Sequence, residues 1–530
     1  MSERTSHVDT FARDRLPPAD QAPDLDWSNA PTYPARLNAA NELLDGAVRC
    51  GWGERVAFRT EGTAVTYAAL LARANKLARV LVREHGLVPG GRVLLRAPNS
   101  VGLVVAWFAV IKAGGIVVAT MPMLRARELT FIVKKAQVPL ALCDASLADE
   151  MQSAGAKVLH LDAVEASAAS EPPTFEAVDT AAADVALIAF TSGTTGTAKG
   201  AMHFHRDLLV VADLFCPAIL KPTADDVFIG SPPIAFTFGL GALLLFPMRV
   251  GASTVLVERP TPDALLSAID RERATILFTA PTMFRALMDH VVNHTGKYVL
   301  SSLTKSVSAG ETLPAVTYEA WKRVTGVRII DGLGSTEMLH IFVACAGDDI
   351  RAGATGKALA GYEVRVVDEA LHTVPPGTIG RLAVRGPTGC RYLDDPERQR
   401  GYVQSGWNLT GDAYKMDEDG YFWFQARADD MIISAGYNIS GPEVEAVLLE
   451  HPKVKECAVV SAPDEARGFI VKAFVVLRDP SHAGEVTTKE LQEHVKATIA
   501  PYKYPRAVAY IDALPKTENG KVQRYKLRVG

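Results

Sequence analysis

The stretch Val185-Ala-Leu-Ile-Ala-Phe190 runs straight into Thr191-Ser-Gly-Thr-Thr-Gly-Thr-Ala-Lys-Gly200, and this junction decides how the chain is read. The first segment is a short apolar run of the kind that forms a buried strand. The second combines glycines with hydroxyl side chains, so it exposes backbone N–H groups, and Lys199 adds a positive charge at its end. Such a loop is suited to holding phosphates. A flexible Gly/Thr linker is the plain alternative, but a linker has no use for a terminal lysine. A Walker loop requires Gly-Lys-Ser/Thr in sequence, whereas Thr197 and Ala198 separate Gly196 from Lys199. An ADP-forming P-loop ATPase is thereby disfavoured.

Outward from this loop, short β-branched runs alternate with longer amphipathic segments between Arg55 and Ala189, as in the strand Arg92–Arg96 followed by the helix Val101–Lys112. Further strands are predicted at Val227–Gly230, Thr254–Val257, Ile276–Thr279 and Val327–Ile330, with a helix at Pro262–Arg273. The pattern is α/β, parallel sheets covered by helices. After Gly353 the texture changes to short strands at Glu363–Val367 and Gly380–Arg385 and a hairpin over Asp417–Phe424 turning at Asp419-Gly420, a small β subdomain. A charged cluster at Arg427–Asp430 then precedes a new α+β pattern: a helix at Pro442–Glu450, strands at Glu456–Ser461 and Ala473–Leu477, and a helix at Thr488–Ile499. We therefore expect a large N-terminal unit over 1–426, a hinge at 427–430 and a smaller α+β C-terminal unit over 431–530. The alanine-rich stretch Ala166–Ala183 reads as a surface connection.

Size and charge narrow the function classes. A chain of 530 residues exceeds what one core usually fills. With 56 basic and 60 acidic residues it lacks the concentrated positive field that nucleic acid requires. The six cysteines form no CxxC pair, which argues against a zinc site or disulfide framework. A polar amino terminus and an apolar stretch that breaks at Lys112 predict no signal peptide and no membrane span, hence a cytoplasmic protein.

Further motifs join the phosphate loop: Gly332-Leu-Gly-Ser-Thr-Glu337, Thr410-Gly-Asp412, Ser308-Ala-Gly-Glu-Thr-Leu313, Arg427-Ala-Asp-Asp430 and Pro515-Lys-Thr-Glu-Asn-Gly-Lys521. Taken alone, each has a bland reading as a capped turn, an exposed ion cluster or a solvated lysine. Together, over nearly the whole chain, they resemble the adenylate-forming superfamily of acyl-CoA synthetases, peptide-synthetase adenylation domains and beetle luciferases. The resemblance implies ATP, Mg2+ and coenzyme A as co-substrates and cofactor, with AMP and pyrophosphate as products. It implies that Thr191, Ser192, Gly193, Thr194, Thr195, Gly196 and Lys199 cradle phosphates, and that Gly310, Glu311, Asp331, Gly332 and Leu333 receive adenine. It further implies that Asp412 binds the ribose hydroxyls and that Arg427 lies at the nucleotide. Thr336 contacts the α-phosphate, Glu337 holds the metal, Asp429 is the hinge pivot and Lys521 the adenylation catalyst in the same reading. Gly436 and Tyr437 belong to the coenzyme A tunnel.

For the acid, the resemblance points to Phe236, Phe238, Gly239, Ala309, Gly310, Gly334 and His340 as pocket residues. Phe236 and Phe238 can equally be ordinary core, and His340 a satisfied buried histidine. Thr237 stands where domains activating α-amino acids place an aspartate for the ammonium, which weakens a peptide-synthetase reading. Glu337-Met-Leu-His-Ile-Phe342 is similar to aryl-CoA ligases of the benzoate group, and Asp430–Ile439 looks most like 2-aminobenzoate-CoA ligases. Ile433 and Ala435 depart from the lysine and serine usual in benzoate ligases. The expectation is an aryl-CoA ligase for an aromatic carboxylic acid, first of all 2-aminobenzoate. Benzoate or hydroxybenzoate ligases, a free-standing enzyme loading a carrier protein and a non-catalytic adenylate binder remain open, as does a homodimer.

Overall fold

The computed structural model describes residues 4–528 except 192–197, 311–312, 314, 428–430, 435, 466, 516–521 and 523, with backbone alone at 316, 425–427, 431, 438, 440, 442, 446 and 525. Two large sheets enclose a shared core. One has six strands in the order Lys157–His160, Leu140–Cys143, Arg92–Arg96, Ile116–Thr120, Val185–Thr191 and Lys199–Phe204, parallel except for the last pair. The other has nine, with the parallel centre Ile329–Gly334, Lys305–Ala309, Ile276–Thr279, Val227–Gly230, Ser253–Val255 and Val56–Thr60.

Alternation along the strands explains the layering. Val93 and Leu95 face the core between the sheets, while Leu94 faces the outer cluster with Leu129, Ile132 and Val133. In the second sheet Ile276 and Phe278 point inward and Leu277 outward. A period of two puts apolar groups on both faces, as a sheet covered on each side by helices requires.

The helix Val101–Lys112 lies between the sheets and is buried from Leu103 onward. It begins at Ser100, whose hydroxyl accepts from the Leu103 N–H, and it ends at Lys112, whose side chain is fully buried and bonded at 2.6 Å to Asp45. The lysine that breaks the apolar run in sequence is thus carried into the core by its own counter-ion. Among the described residues no helix is long and apolar enough to cross a membrane.

An antiparallel sheet follows, built from Glu363–Val367, Ile379–Arg385, Trp407–Met416 and Phe422–Arg427, with the short strand Val403–Gln404 at its edge. This is the expected β subdomain with one correction: Asp417–Gly420 is the turn, and the first strand of the hairpin lies earlier, at Trp407–Met416. The alanine-rich segment Ala166–Ala183 runs largely over the surface, as expected, and is anchored at its end. Leu161–Ser167 is helical, and Thr180, Ala181 and Ala182 are buried, with Thr180 bonded to the Leu37 carbonyl. Just beyond it, Asp184 accepts from the hydroxyls of Thr5 and Ser6.

The smaller C-terminal domain has its own cores. The antiparallel strands Val454–Asp464 and Gly468–Leu477, joined in parallel by Ala507–Tyr510, pack against Gly441–Glu450 and Glu485–Thr498. A hairpin that the sequence reading did not anticipate, Met431–Ser434 with Tyr437–Ser440, precedes them.

Buried histidines set an acid limit on this fold. His203 and His205 are fully buried, and burial pushes their pKa values down to about 4 and about 3. Both are held neutral in the fold but charge freely once unfolded, so their contribution is present above the ordinary histidine value of about 6.5 and is lost as pH falls below it. The melting temperature should drop between about pH 6.5 and about pH 4, and His205→Asn, which keeps an acceptor for the Ala39 N–H, should flatten that drop. Equal pH slopes in parent and variant would count against this origin.

Candidate active site

The site forms where the parallel strands of the larger sheet end, the usual place for ligands in such sheets. Lys305–Ala309 and Ile329–Gly334 run side by side with Ala309 opposite Gly332. A Cβ at Gly332 would stand 2.5 Å from Ile341, and one at Gly334 would stand 2.7 Å from the His340 carbonyl. Both glycines are required for the next strand, Ile341–Ala344, to fold back this closely. Between them and that strand, the Ser335 hydroxyl accepts from the Met338 N–H at 3.2 Å and the Leu339 N–H bonds the Thr336 carbonyl at 3.1 Å. This turn fixes Thr336 and Glu337.

Asp331 lies on the same strand. Its Oδ1 is buried without a well-formed hydrogen bond, its polar neighbours being Ser308 and the Gly332 backbone, and burial pushes its carboxyl up to about 8. A carboxyl held near neutrality can donate or accept a hydrogen bond, which suits the edge of a heterocyclic base. Leu333 follows it, partly exposed.

Glu337 is buried and accepts a hydrogen bond from the Tyr392 hydroxyl at 2.6 Å. The Lys199 ammonium donates to the same hydroxyl at 3.3 Å. Tyr392 therefore bridges Lys199 and the acidic residue of the Gly332–Glu337 motif. Thr191 and Lys199 pair across an antiparallel ladder, so Ser192–Thr197 connects two adjacent strands, although those six residues, among them Ser192, Gly193, Thr194, Thr195 and Gly196, lie outside the described residues. The segment carrying Tyr392 is held along Lys199–Phe204 by bonds from Met202 N–H to the Arg391 carbonyl and from Leu393 N–H to the Gly200 carbonyl, each 2.8 Å. Beside it, a buried ion pair joins Arg391 to Asp207 at 2.9 Å, with the guanidinium 4.0 Å from the Phe204 ring centroid. Tyr402 packs edge-on against Tyr392 and places its hydroxyl 3.4 Å from the Ser335 hydroxyl. Sequence reasoning missed both tyrosines, because nothing in Arg391-Tyr-Leu393 marks it as near a site more than fifty residues away.

An aromatic group surrounds His340. Its ring centroid lies 4.6 Å from Phe246, 5.7 Å from Phe215 and 5.9 Å from Phe238, which in turn stands 5.7 Å from Phe278. Gly241 makes this possible, since a Cβ there would approach the imidazole to 2.4 Å. Neither ring nitrogen makes a well-formed hydrogen bond, the backbone of Phe238 being a polar neighbour, and burial pushes the imidazole down to about 3, so it is neutral. Gly239 is also obligatory, with the Pro233 carbonyl 2.0 Å from where a Cβ would stand. Phe238 joins the group, whereas Phe236 flanks the short helix Thr237–Leu240 and makes none of these ring contacts.

Asp412 is buried on Trp407–Met416, opposite Arg427 in the ladder. From the smaller domain, the carbonyl of Gly436 comes within 3.8 Å of where a Cβ on Gly310 would stand, so the turn of the 431–440 hairpin reaches the end of the Lys305–Ala309 strand. Tyr437 stacks on Tyr502 at 4.1 Å. Glu311, Asp429 and Lys521 lie outside the described residues.

Comparison with known proteins accords with this geometry. A family model described as AMP-binding enzyme matches residues 48–392, and a model of the AMP-binding enzyme C-terminal domain matches residues 443–521. A benzoate–CoA ligase from Thauera aromatica is 34% identical over 521 residues, spanning 95% of this chain and 98% of its own. An anthranilate CoA ligase solved in complex with anthranoyl-AMP is 33% identical with a TM-score of 0.72, over 94% of this chain and 98% of its own. A double mutant of o-succinylbenzoate CoA synthetase from Bacillus subtilis, bound with a product analogue, is 26% identical with a TM-score of 0.81, over 92% of this chain and 98% of its own.

The bridge predicts an unequal cost for two similar mutations. Tyr392→Phe leaves a buried carboxylate short of a donor and should destabilise the fold by about 1 to 3 kcal/mol. Tyr402→Phe removes a long contact to a hydroxyl and should cost under about 1 kcal/mol. Denaturant unfolding compares them, and equal costs would contradict the role given to Tyr392.

Proposed function

The chain belongs to the AMP-binding enzyme family as an AMP-forming aryl-CoA ligase that uses ATP, magnesium and coenzyme A, and we propose that its acid is 2-aminobenzoate. The observation that carries the substrate reading is His340: a buried, neutral imidazole with the Phe238 backbone as its polar neighbour, set beside the Phe238 ring in an aromatic wall. Rings provide area for an aryl group, and a neutral imidazole can pair a ring substituent as donor or acceptor. An anthranilate CoA ligase among its relatives supports the same acid. Likeness to a benzoate–CoA ligase makes benzoate the second reading.

A carboxylate is a poor electrophile, so the acid is first joined to AMP. In the proposed cycle its oxygen attacks the α-phosphorus of ATP and pyrophosphate leaves, while Lys199 and the phosphate loop hold the β- and γ-phosphates and Thr336 the α-phosphate. The oxygen donors Glu337 and Thr336 fit a hard divalent cation, and Glu337 would hold the magnesium. That ion supplies charge neutralisation for the phosphates when bound. Asp331 faces adenine and Asp412 the ribose in this reading. Lys521 approaches for this step only. A turn of the smaller domain about Asp429, within a hinge at 427–430, then brings the Gly436 hairpin to the acyl adenylate, and the thiol of coenzyme A attacks its carbonyl carbon. The approach of the Gly436 carbonyl to Gly310 supports the second orientation for the structure described.

Lys521→Ala should reduce acid-dependent pyrophosphate release by at least about a hundredfold while sparing thioester formation from supplied acyl adenylate, because charge develops on the phosphates only in the first step. Loss of both activities together would remove Lys521 from that role.

For the acid itself, the specificity constant kcat/KM should favour 2-aminobenzoate over benzoate by roughly tenfold, since a pocket group made to pair a substituent is left unsatisfied without it. His340→Ala should erase most of that ratio. Benzoate turned over as efficiently as 2-aminobenzoate by the parent enzyme would refute the assignment.

A further inference from the structure

A buried group of charges joins the two domains away from the reacting centre. Glu128 sits in the first turn of the helix Ala126–Ala136, which packs through Leu129, Ile132 and Val133 on the six-stranded sheet. One oxygen of Glu128 accepts from its own domain, the Arg125 N–H at 2.9 Å, and from the smaller domain, the Ala500 N–H at 3.0 Å. Its other oxygen accepts from the Lys503 ammonium. Lys503 also bonds Glu443 at 2.8 Å, in the first turn of the helix Gly441–Glu450 that follows the Gly436 hairpin directly.

Burial separates this group from ordinary surface ion pairs. The side chains of Lys503, Glu128 and Glu443 are 4%, 10% and 14% exposed. Burial opposes the charge on Lys503, yet Tyr502, Glu443 and Glu128 together raise its pKa above the ordinary lysine value. A second contact across the same interface, Arg127 with Glu450, is about half exposed on both sides and is worth much less. Removing one partner of a buried pair is costly because the other charge is left without compensation.

We propose that Glu128, Lys503 and Glu443 form a charge latch that holds the smaller domain in the orientation bringing the Gly436 hairpin to the acid site, making Glu128 and Lys503 positioning residues for thioester formation. This rests on the two-step cycle proposed above. In the step that the latch serves, a carbon–sulfur bond forms, the acyl carbon–oxygen bond to AMP breaks with its electron pair leaving on AMP, and the thiol proton passes to solvent. For adenylation the domain must turn away, and Glu128 then parts from Lys503 and is rehydrated. The latch thus weights an equilibrium between two orientations without touching either substrate.

Glu128→Gln tests this, since the amide oxygen still accepts the two N–H groups while the charge is lost. The rate of thioester formation from supplied benzoyl-AMP or 2-aminobenzoyl-AMP and coenzyme A should fall about tenfold, and acid-dependent pyrophosphate release should stay level or rise. Arg127→Ser, at an exposed position, should show the same split at about twofold. Equal losses in both half-reactions, or an unchanged second step, would overturn the latch. Small-angle X-ray scattering of the ligand-free proteins reads the orientation without activity: the variant should give an altered distance distribution, and identical curves would overturn the proposal. A parent enzyme that released no pyrophosphate with any aromatic acid would sink the cycle instead, leaving scattering to decide the latch.

Discussion

The hydroxyl of Tyr392 donates to Glu337 and accepts from Lys199, and the site depends on that one group. Lys199 begins the last strand of the six-stranded sheet, and Glu337 follows the end of a strand in the nine-stranded sheet. Tyr392 arrives on a third segment, the approach to the antiparallel sheet. Glu337 is buried while Lys199 is half-buried, and a buried carboxylate without a hydrogen-bond partner would bear a desolvation penalty. The phenol satisfies both while keeping them apart, so the lysine is held near the acid without collapsing onto it. Burial and the nearby Glu337 charge keep the Tyr392 proton in place, which is what allows it to donate.

Around this bridge the structure relies on the absence of side chains as much as on their presence. Gly332, Gly334, Gly239 and Gly241 each stand where a Cβ would meet another group at well under van der Waals distance. The last of these lets His340 into the ring cluster, and there burial removes its charge. A charged imidazole in that place would need a carboxylate partner, and the ring contacts of His340 are all to phenylalanines. If this group walls the acid pocket as proposed, the wall is apolar in area and polar at one point, a construction that can discriminate ring substituents.

Much of the fold was legible in the sequence because its signals are local. The strand Arg92–Arg96 and the helix Val101–Lys112 appear with the boundaries that their periodicity gives, and Ile276–Thr279 and Glu363–Val367 do as well. Errors arose where local and tertiary signals compete. The Asp419-Gly420 pair does mark a turn, but the strand before it starts at Trp407, through the polar run Asn408–Asp412 that offers little β signal. The hairpin at 431–440 was hidden by its closeness to the charged Arg427–Asp430 cluster. Motif residues such as Thr336 and Glu337 could be singled out because one loop fixes their spacing. Tyr392 and Glu128 were not, because their importance comes from partners 193 and 375 positions away.

Charged side chains that are distant in sequence meet where the two domains touch. An apolar interface large enough to hold them would expose its whole area each time the smaller domain turned, with a penalty that grows with area. It would also remain adhesive to other apolar surfaces in the turned state. Paired charges behave differently. Once separated, each carboxylate and ammonium is taken up by water, and Lys503 keeps Glu443 as a partner within its own domain in either orientation. In the proposed turn the bonds to Glu128, and the more exposed contact of Arg127 with Glu450, are exchanged for hydration. An interface that must be made and broken in every catalytic cycle is therefore best built from few, buried and directional contacts, and Glu128 presents two carboxylate oxygens to two groups of the opposite domain.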